Sequence, residues 1–355
     1  MPLVRILSAV EQVAGYLRKE LSRGQWSGHL PGVDRLAPEL GVSRKTLEAA
    51  LRLLEGEGVL MRNGPRRKRS IALQGVQSRP ALRLALLLSE EVDRRLDYIV
   101  DIEHELSDAG HSVNIAPGTL VELGMDVKRI ERMVKKTPAD AWVIVGGSGE
   151  VLEWFCGQPL PAFAIFGRRR GLPIAGVGPD KPPAFVEATR ALISLGHRRI
   201  VLLARPRRRL PEPGASERAF LAELTAHGIS SSSYHLPDWE ETIDGFHGRL
   251  ESLFQVTPPS ALIIEESPFF IAAQQFLAKK RLRVPEDVSL VCTDADPAFD
   301  WCQPSVAHIR WESRPVVRRI LRWAFNLSRG AKDLRQTLTP AEFVPGGTIG
   351  PAAHR

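Results

Sequence analysis

The pattern that most constrains this chain begins at Leu82, where short apolar runs start to alternate with helical segments. The first run, LRLALLL over residues 82–88, has the length of a strand and the apolar character of one buried on both faces of a parallel sheet. Similar runs follow: HSVNIA, AWVIVGG, AFAIFG, ALIIE and VSLVCTD. Two consecutive series of strands and helices in one chain predict an α/β fold with two doubly wound lobes.

Helical periodicity between the runs places the predicted helices, and a further strand is expected near 232–236. Helices are predicted over about 92–109, 125–136, 150–156, 216–228, 241–255 and 268–281, and a helix, a Gly turn and a strand over 182–204.

The segment before Leu82 has a different pattern. Residues 4–23 are amphipathic at helical spacing, VDRLAPELG predicts a short helix ending at Gly41, and Ser43 is placed to cap a third helix. The dipeptide Asn63-Gly64 between two short apolar runs predicts a hairpin. Three helices followed by a hairpin predict a winged helix-turn-helix. We therefore expect a winged domain over 1–75, a linker over 76–81, a two-lobed domain over 82–345 and a tail over 346–355.

The excess positive charge of the chain is concentrated in the winged segment. Residues 1–75 carry 13 Lys and Arg against 7 Asp and Glu, whereas the remaining residues carry 35 against 34. A compact basic module beside a near-neutral body indicates a polyanionic partner for the amino-terminal part.

The predicted partner of this module is double-stranded DNA. In a helix-turn-helix the amino end of the second helix reaches base edges in the major groove, and an Arg there can bond bidentately to guanine. Arg35 is placed to approach the backbone or groove edge, and the charged wing is expected to contact phosphates. The predicted DNA-binding residues are Arg35, Ser43, Arg44, Lys45, Thr46, Arg66, Arg67, Lys68 and Arg69. A solvated surface charge is the alternative for each of them.

The stretch LPGVDRLAPELGVSRKTLEAALRLLEGEGVL resembles the winged helix-turn-helix of the GntR family, over about residues 7–73. The resemblance implies DNA contacts from Arg35, Arg44, Thr46 and the wing. Two positions depart from the family pattern: Glu48 stands where the family often has Arg, and Pro65 replaces part of a flexible Gly-rich wing.

The second part resembles the ligand-binding region of the LacI/GalR family, which is related to periplasmic sugar-binding proteins. The stretches ALISLGHRRIVLLA, SERAFLAEL, PSALIIEESPFFIAAQQFLAKKRLRVPEDVSLVCTD and PSVAHIRW carry the resemblance, within about residues 82–345. It implies a small, carbohydrate-like effector bound between two lobes, and a homodimer whose DNA-binding geometry changes with lobe motion.

By position, the resemblance makes Arg218 a clamp for ligand hydroxyls or a carboxylate, Asp294 an acceptor of ligand hydroxyls and Trp239 an aromatic platform. The alternatives are an exposed helix charge for Arg218 and a core or rim aromatic for Trp239. Glu265 and Glu266 replace the family's usual Asn-Asp pair, and Cys292 replaces a Gly. Ionised Glu only accepts hydrogen bonds, so a donor-rich and even cationic ligand is favoured over the neutral sugar that is otherwise the default.

Three further features have structural interpretations. His197, in a helix-to-strand turn, is expected to make structural hydrogen bonds. The basic cluster RPRRR over 205–209 is expected to be a solvated loop, with a secondary DNA contact as the alternative. A metal site from Glu265, Asp294 and Asp296 is conceivable, but adjacent carboxylates are more often directed at a ligand or salt-bridged, so no metal and no cofactor are predicted.

Other classes of protein fit the sequence less well. The chain lacks a nucleophile elbow, a Walker loop, an H-E-x-x-H motif and a Lys in a convincing Schiff-base context, so we do not expect an enzyme. No apolar run reaches a membrane-spanning length, no signal peptide is evident, and three scattered cysteines fit a reducing cytoplasm.

The sequence thus predicts a cytoplasmic, nucleoid-associated transcription regulator. We expect a repressor that acts as a homodimer on operator DNA under control of a small effector, a sugar or sugar derivative. The alternatives are a DNA-binding regulator whose cleft has lost its ligand, a GntR-type module fused to an enzyme-like domain, and a periplasmic binding protein.

Overall fold

The structure is a computed structural model that describes residues 8–22, 26, 29–56, 59–62, 69–71, 81–209 and 212–353. The chain divides into two compact units, Met1–Pro80 and Ala81–Arg355.

The described residues of the first unit form three helices and a two-stranded sheet. Helices α1 (Ala9–Ser22), α2 (Val33–Glu39) and α3 (Arg44–Gly56) precede strands β1 (Leu60–Met61) and β2 (Ser70–Ile71), which pair antiparallel. The apolar face of each helix packs into one small core, with the following side chains buried: Val13, Ala14, Leu17, Leu21, Leu36, Ala37, Leu47, Ala50, Leu51 and Leu54. The turn between α2 and α3 contains Gly41 at φ +62°, a left-handed conformation that favours glycine.

The sheet of this unit forms the base of the wing. His29 bridges to Ser70, and the backbone N–H of Leu30 donates to the carbonyl of Arg69, so residues 29–30 add a third short edge to the hairpin. The predicted turn at Asn63-Gly64 and the charges of Arg66, Arg67 and Lys68 lie outside the described residues.

Residues 81–209 and 212–353 of the second unit form two sheets, each the centre of one lobe. The amino-side sheet has the strand order β12-β7-β6-β5-β3-β4, and all its strands run parallel. Its strands are β3 (Arg83–Leu87), β4 (Ser112–Ile115), β5 (Ala141–Val145), β6 (Ala162–Ile165), β7 (Ala175–Pro179) and β12 (Gln336–Thr339).

The carboxyl-side sheet has the order β13-β11-β10-β9-β8, with β13 antiparallel to β11 and the rest parallel. Its strands are β8 (Ile200–Leu203), β9 (Ala261–Ile264), β10 (Ser289–Cys292), β11 (Ala307–Trp311) and β13 (Ala341–Val344). The central strands of both sheets are apolar and buried because helices cover both faces.

Helices pack on both faces of each sheet. In the amino-side lobe α4 (Asp97–Asp108) and α12 (Ser313–Ser328) cover one face, and α5 (Val127–Lys136) and α6 (Gly149–Cys156) the other. In the carboxyl-side lobe α10 (Ile243–Val256) and α11 (Ser267–Lys279) cover one face, and α7 (Lys181–Ser194) and α9 (Ala215–Ala226) the other. The four-residue helix α8 (Pro206–Arg209) follows β8.

The chain crosses between the lobes after β7, after β11 and between β12 and β13. Each crossing leaves a strand and leads within one or two residues into α7, α12 or β13, so these short connections are the places where the lobes can move relative to each other.

The structure corrects the predicted strand near 232–236. Residues 229–240 form no strand; instead the carbonyl of His235 accepts from the N–H of Leu202, and His235 Nδ1 lies 2.7 Å from the carbonyl of Ile200. The backbone carbonyl and the side chain of His235 thus bond to the edge of β8 where a strand ladder was expected. The predicted helix over 92–109 is also divided, into a 3₁₀ turn (Glu91–Arg95) and α4, because Leu96 between them is extended.

Candidate functional site

The candidate DNA-binding surface is the amino end of α3. The Oγ of Ser43 accepts the backbone N–H of Thr46 at 3.1 Å, which confirms that Ser43 caps this helix. Arg44 and Lys45 stand exposed on its first turn. Since the first N–H groups of a helix and its dipole favour anions, this end suits a phosphate or the edge of a base pair.

Two of the arginines on this surface are held by intramolecular ion pairs. Arg44 Nη1 lies 2.5 Å from Asp34 Oδ1, and Arg35 Nε lies 3.0 Å from Glu39 Oε1 on the same helix. All four side chains are largely solvent-exposed, so these pairs are weak and exchangeable.

Arg69 is placed differently from the rest of the predicted wing charges. Its guanidinium pairs with Glu55 of α3, and each of the two side chains is only 18% exposed. Arg69 therefore fastens the wing to α3, and we expect it to contribute less to phosphate binding than the sequence suggested.

The second candidate site lies where the carboxyl ends of the parallel strands face each other across the two lobes. In sheets of this kind ligands bind at that edge. Nine side chains there are joined by ion pairs or close electrostatic interactions, and we name them the cleft cluster: Glu90, Asp93, Lys181, Arg205, Arg208, Glu241, Glu265, Glu266 and Asp294.

Arg205, which follows β8, is the centre of the cleft cluster. Its guanidinium contacts Glu90 of the other lobe, Glu241 at 2.8 Å and Glu266 at 3.5 Å, and its side chain is only 9% exposed. The guanidinium carbon also lies 5.8 Å from the centre of the Phe269 ring. Burial alone lowers the pKa of Arg205, but the hydrogen bond to Glu90 and the charge of Glu266 outweigh it, so the pKa is raised and the cation is secured.

Arg208, on α8, forms ion pairs with both Glu265 and Glu266, the carboxylates that replace the family's Asn-Asp pair. Its Nη1 lies 3.3 Å from Glu265 Oε1 and 2.5 Å from Glu266 Oε1. The backbone N–H of Arg205 donates to the other oxygen of Glu265 at 2.5 Å. Both predicted glutamates are thus brought together, and both are engaged by arginines of the same lobe.

Glu266 has an unusual backbone for a non-glycine residue, with φ +64° at the start of α11. Such a conformation costs about 1–3 kcal/mol and persists only where the surroundings enforce it. Desolvation raises the pKa of Glu266, although the charges of Arg208 and Arg205 act in the opposite direction. Desolvation also raises the pKa of Asp93, which is 7% exposed in the facing lobe.

Asp294 lies at the same edge, just beyond β10, as predicted. Its Oδ1 accepts from Lys181 Nζ at 2.6 Å, and its Oδ2 accepts from Thr293 Oγ1 at 3.1 Å. Lys181 begins α7 directly after the first crossing between the lobes, so this ion pair ties the crossing to the ligand edge of the sheet.

The structure separates two of the predicted ligand residues from the cluster. Trp239 is 7% exposed, its indole N–H donates to the carbonyl of Ala204 at 2.9 Å, and its ring packs against Phe246 and Phe269. It is therefore a core aromatic behind the site. Arg218, on α9, donates to the carbonyl of Pro213 at 2.5 Å and pairs with Glu212 at 3.6 Å, and both of these contacts lie outside the cleft cluster.

Six residues of the cleft cluster were not predicted from the sequence: Glu90, Asp93, Lys181, Arg205, Arg208 and Glu241. The run RPRRR is the one signal that the sequence offers for two of them, and the prediction of a solvated loop there is wrong for Arg205 and Arg209. Both are buried, and Arg209 is paired with Asp238.

His197 is structural, as the sequence suggested. It is 1% exposed, and its ring nitrogens lie 3.0 Å from Ser260 Oγ and 2.9 Å from the carbonyl of Gly350. Burial lowers its pKa below the ordinary value.

Among the described residues, no group of three or more His, Cys, Asp and Glu side chains is arranged to hold a metal ion. In the same part of the chain, no helix combines the length and the apolar character that crossing a membrane requires.

Two family descriptions match the chain over separate stretches. Residues 9–67, which span the three helices and part of the wing, match the bacterial regulatory proteins of the gntR family. Residues 189–349, which span most of the carboxyl-side lobe, match the periplasmic binding protein-like domain. The chain joins a GntR-type helix-turn-helix to a periplasmic-binding-protein-like domain. The predicted recognition and fold class are thereby confirmed.

The chain is 29% identical over 194 residues to the HTH-type transcriptional regulator RafR of Escherichia coli. The match covers 54% of this chain and 57% of RafR, so the chain spans little more than half the length of that relative.

Solved structures share its fold at low identity. A transcriptional regulator CelR–cellobiose complex is 19% identical, with 90% of this chain and 100% of that one covered and a TM-score of 0.63. The lac repressor dimer bound to operator and the anti-inducer ONPF is 18% identical, with 81% and 100% covered and a TM-score of 0.62. These relatives are transcriptional regulators or repressors, not enzymes.

Proposed function

We propose that this chain is a DNA-binding regulator of transcription, most simply a repressor, that acts as a homodimer on a pseudo-palindromic operator. The observation that carries the proposal is the match of residues 9–67 to the gntR family together with the capped, cationic amino end of α3. A dimer would place one such helix in the major groove of each half-site. RafR and the lac repressor, described as a transcriptional regulator and as an operator-bound dimer, support this by likeness.

We further propose that a small ligand binds in the cleft cluster and regulates DNA binding. Among the described residues of the cluster, six carboxylates face three cations, so the site carries more negative than positive groups. A ligand that donates hydrogen bonds and carries a positive charge matches this surplus better than a neutral sugar. The proposed class is a sugar derivative with an amino group, which would compete with Arg208 for Glu265 and Glu266.

Thermal unfolding of the full chain tests the ligand proposal. Glucosamine and galactosamine should raise the midpoint at concentrations where glucose and galactose do not, because a ligand that binds only the folded state stabilises it. Stabilisation by the parent sugars but not by the amino sugars would contradict the proposed class.

The second candidate function is a DNA-binding regulator whose cleft takes no ligand. It is favoured by the ion pairs of Arg205 and Arg208, which already engage the carboxylates that a ligand would need. Sequence-specific DNA binding without a thermal shift from either kind of sugar would favour it.

A further inference from the structure

The two lobes are joined across the cleft by side chains of the chain itself. Glu90 lies between β3 and α4 in the amino-side lobe, whereas Arg205 follows β8 in the carboxyl-side lobe, and the two form an ion pair. A second bridge comes from Arg168, which follows β6 and donates from Nε and Nη2 to the carbonyl of Arg208, at 3.3 and 3.2 Å.

Both members of the ion pair are held in position by their own lobe. The N–H of Glu90 donates to Asp93 Oδ2 at 3.0 Å, as part of a capping box that starts the 3₁₀ turn. Arg205 is held from its own side by Glu241 and Glu266 and lies against Phe269. The Arg205 side chain and the Glu90 backbone are therefore already ordered, so the entropy lost on forming the contact comes mainly from the Glu90 side chain.

The same arrangement makes the contact reversible. If the lobes separate, Arg205 keeps Glu241 and Glu266 as counter-ions, and Glu90, already 23% exposed, is hydrated by the opening cleft. Opening therefore leaves no buried charge without a partner. An unpaired buried charge is what makes the loss of most buried ion pairs so unfavourable.

We propose that the Arg205–Glu90 ion pair, supported by Arg168, is an inter-lobe latch: a switchable contact that favours the closed arrangement of the lobes. Its role in regulation rests on the proposed function, because lobe closure matters to transcription only if the chain binds DNA. The latch itself is a property of residues 81–353 and can be measured apart from DNA binding.

Hydrogen–deuterium exchange of the full chain, without DNA and without added sugar, tests the latch. Glu90→Gln removes the charge while keeping the shape, and we expect roughly tenfold faster exchange in the peptides around residues 86–95 and 203–209. This follows from losing one charge-assisted hydrogen bond, because a tenfold change corresponds to about 1.4 kcal/mol. The central strands β5 and β9 should exchange as in the wild type.

Glu91→Gln is the matched control, because Glu91 is the adjacent residue, is 64% exposed and pairs only locally with Arg94. Its exchange should equal that of the wild type. Arg168→Gln should accelerate exchange in the same two regions by a smaller factor, which keeps the test decisive if Glu90→Gln folds poorly.

Wild-type exchange in both Glu90→Gln and Arg168→Gln would overturn the proposal. Acceleration spread equally over β5, β9 and the cleft peptides would overturn it as well, since that would show a general loss of stability. Absence of DNA binding by the wild type, with the cleft exchange as expected, would count against the proposed function and leave the latch standing.

Discussion

Arg44 Nη1 and Asp34 Oδ1 lie 2.5 Å apart, which joins the first turn of α3 to α2 through an exposed ion pair. The residue proposed to read a base is therefore engaged by a carboxylate of its own domain. Since both side chains are more than two-thirds exposed, the pair contributes little to stability and can be exchanged for a contact with DNA.

Arg44→Ala should relax sequence preference and weaken specific DNA binding by roughly 1–3 kcal/mol, because it removes a proposed bidentate contact to guanine. Asp34→Asn should have the opposite effect on DNA affinity. It frees Arg44 and removes a negative charge near the phosphates, so the affinity should rise severalfold. Fluorescence anisotropy with specific and scrambled duplexes at fixed salt measures both. Arg52→Ala, two turns farther along α3, is the control; an equal loss of specificity there would argue against a special role for Arg44.

The wing should supply affinity rather than sequence preference. Neutralising Arg66, Arg67 and Lys68 together should weaken binding to all duplexes and reduce the slope of log affinity against log salt by about one unit per lost phosphate contact. Arg69→Gln should change this slope less and lower the thermal midpoint more, because Arg69 is paired with Glu55. A slope unchanged in the triple variant would remove the wing from the DNA interface.

Asp294 should act on the ligand response without acting on DNA binding. Asp294→Ala removes the partner of Lys181 and a proposed acceptor of ligand hydroxyls, so the thermal shift with glucosamine should disappear while operator affinity stays within about twofold. The exposed Asp300→Ala is the matched control for charge. Loss of DNA binding together with the ligand response would instead assign Asp294 a structural role.

His197 should make the folded state less stable in acid. Burial lowers its pKa in the folded chain below the unfolded value of about 6.5, so the folded state binds a proton at His197 less readily than the unfolded state does. Its contribution to stability is therefore present above pH 6.5 and is lost as the pH falls below that value towards the lower folded pKa.

Denaturant unfolding between pH 7.5 and 5 measures this effect as the difference between the wild type and His197→Gln. The advantage of the wild type should shrink below pH 6.5. The raised pKa values of Asp93 and Glu266 act with the opposite sign and are common to both proteins, so they cancel in the difference. A difference that does not change with pH would contradict the assignment.

The two-lobed fold was predictable because buried parallel strands appear in the sequence as nearly continuous apolar runs. The cap at Ser43, the turn at Gly41 and the β1–β2 pairing follow from local chemistry and were also predicted. By contrast, β7 with the sequence AGVGP and strands β12 and β13, on either side of Pro340, have weak strand signals. They depend on the sheets that they join.

The cleft cluster was predictable only in part. Glu265, Glu266 and Asp294 follow apolar strands, so their place at the carboxyl edge could be predicted from strand direction. Arg205 and Glu90 are separated by more than a hundred residues and meet only because two lobes pack together. Local sequence patterns contain no information on that contact, and a charged run such as RPRRR has the same composition whether it is solvated or buried.

The central claim, that this chain reads DNA sequence through the amino end of α3, is tested most directly by selecting duplexes from a random library with the full chain. We predict that the wild type enriches an inverted repeat of two half-sites, and that Arg44→Ala enriches a degenerate one under the same conditions. If the wild type recovers sequences with no common motif, and its affinity varies with salt but not with sequence, the account is contradicted.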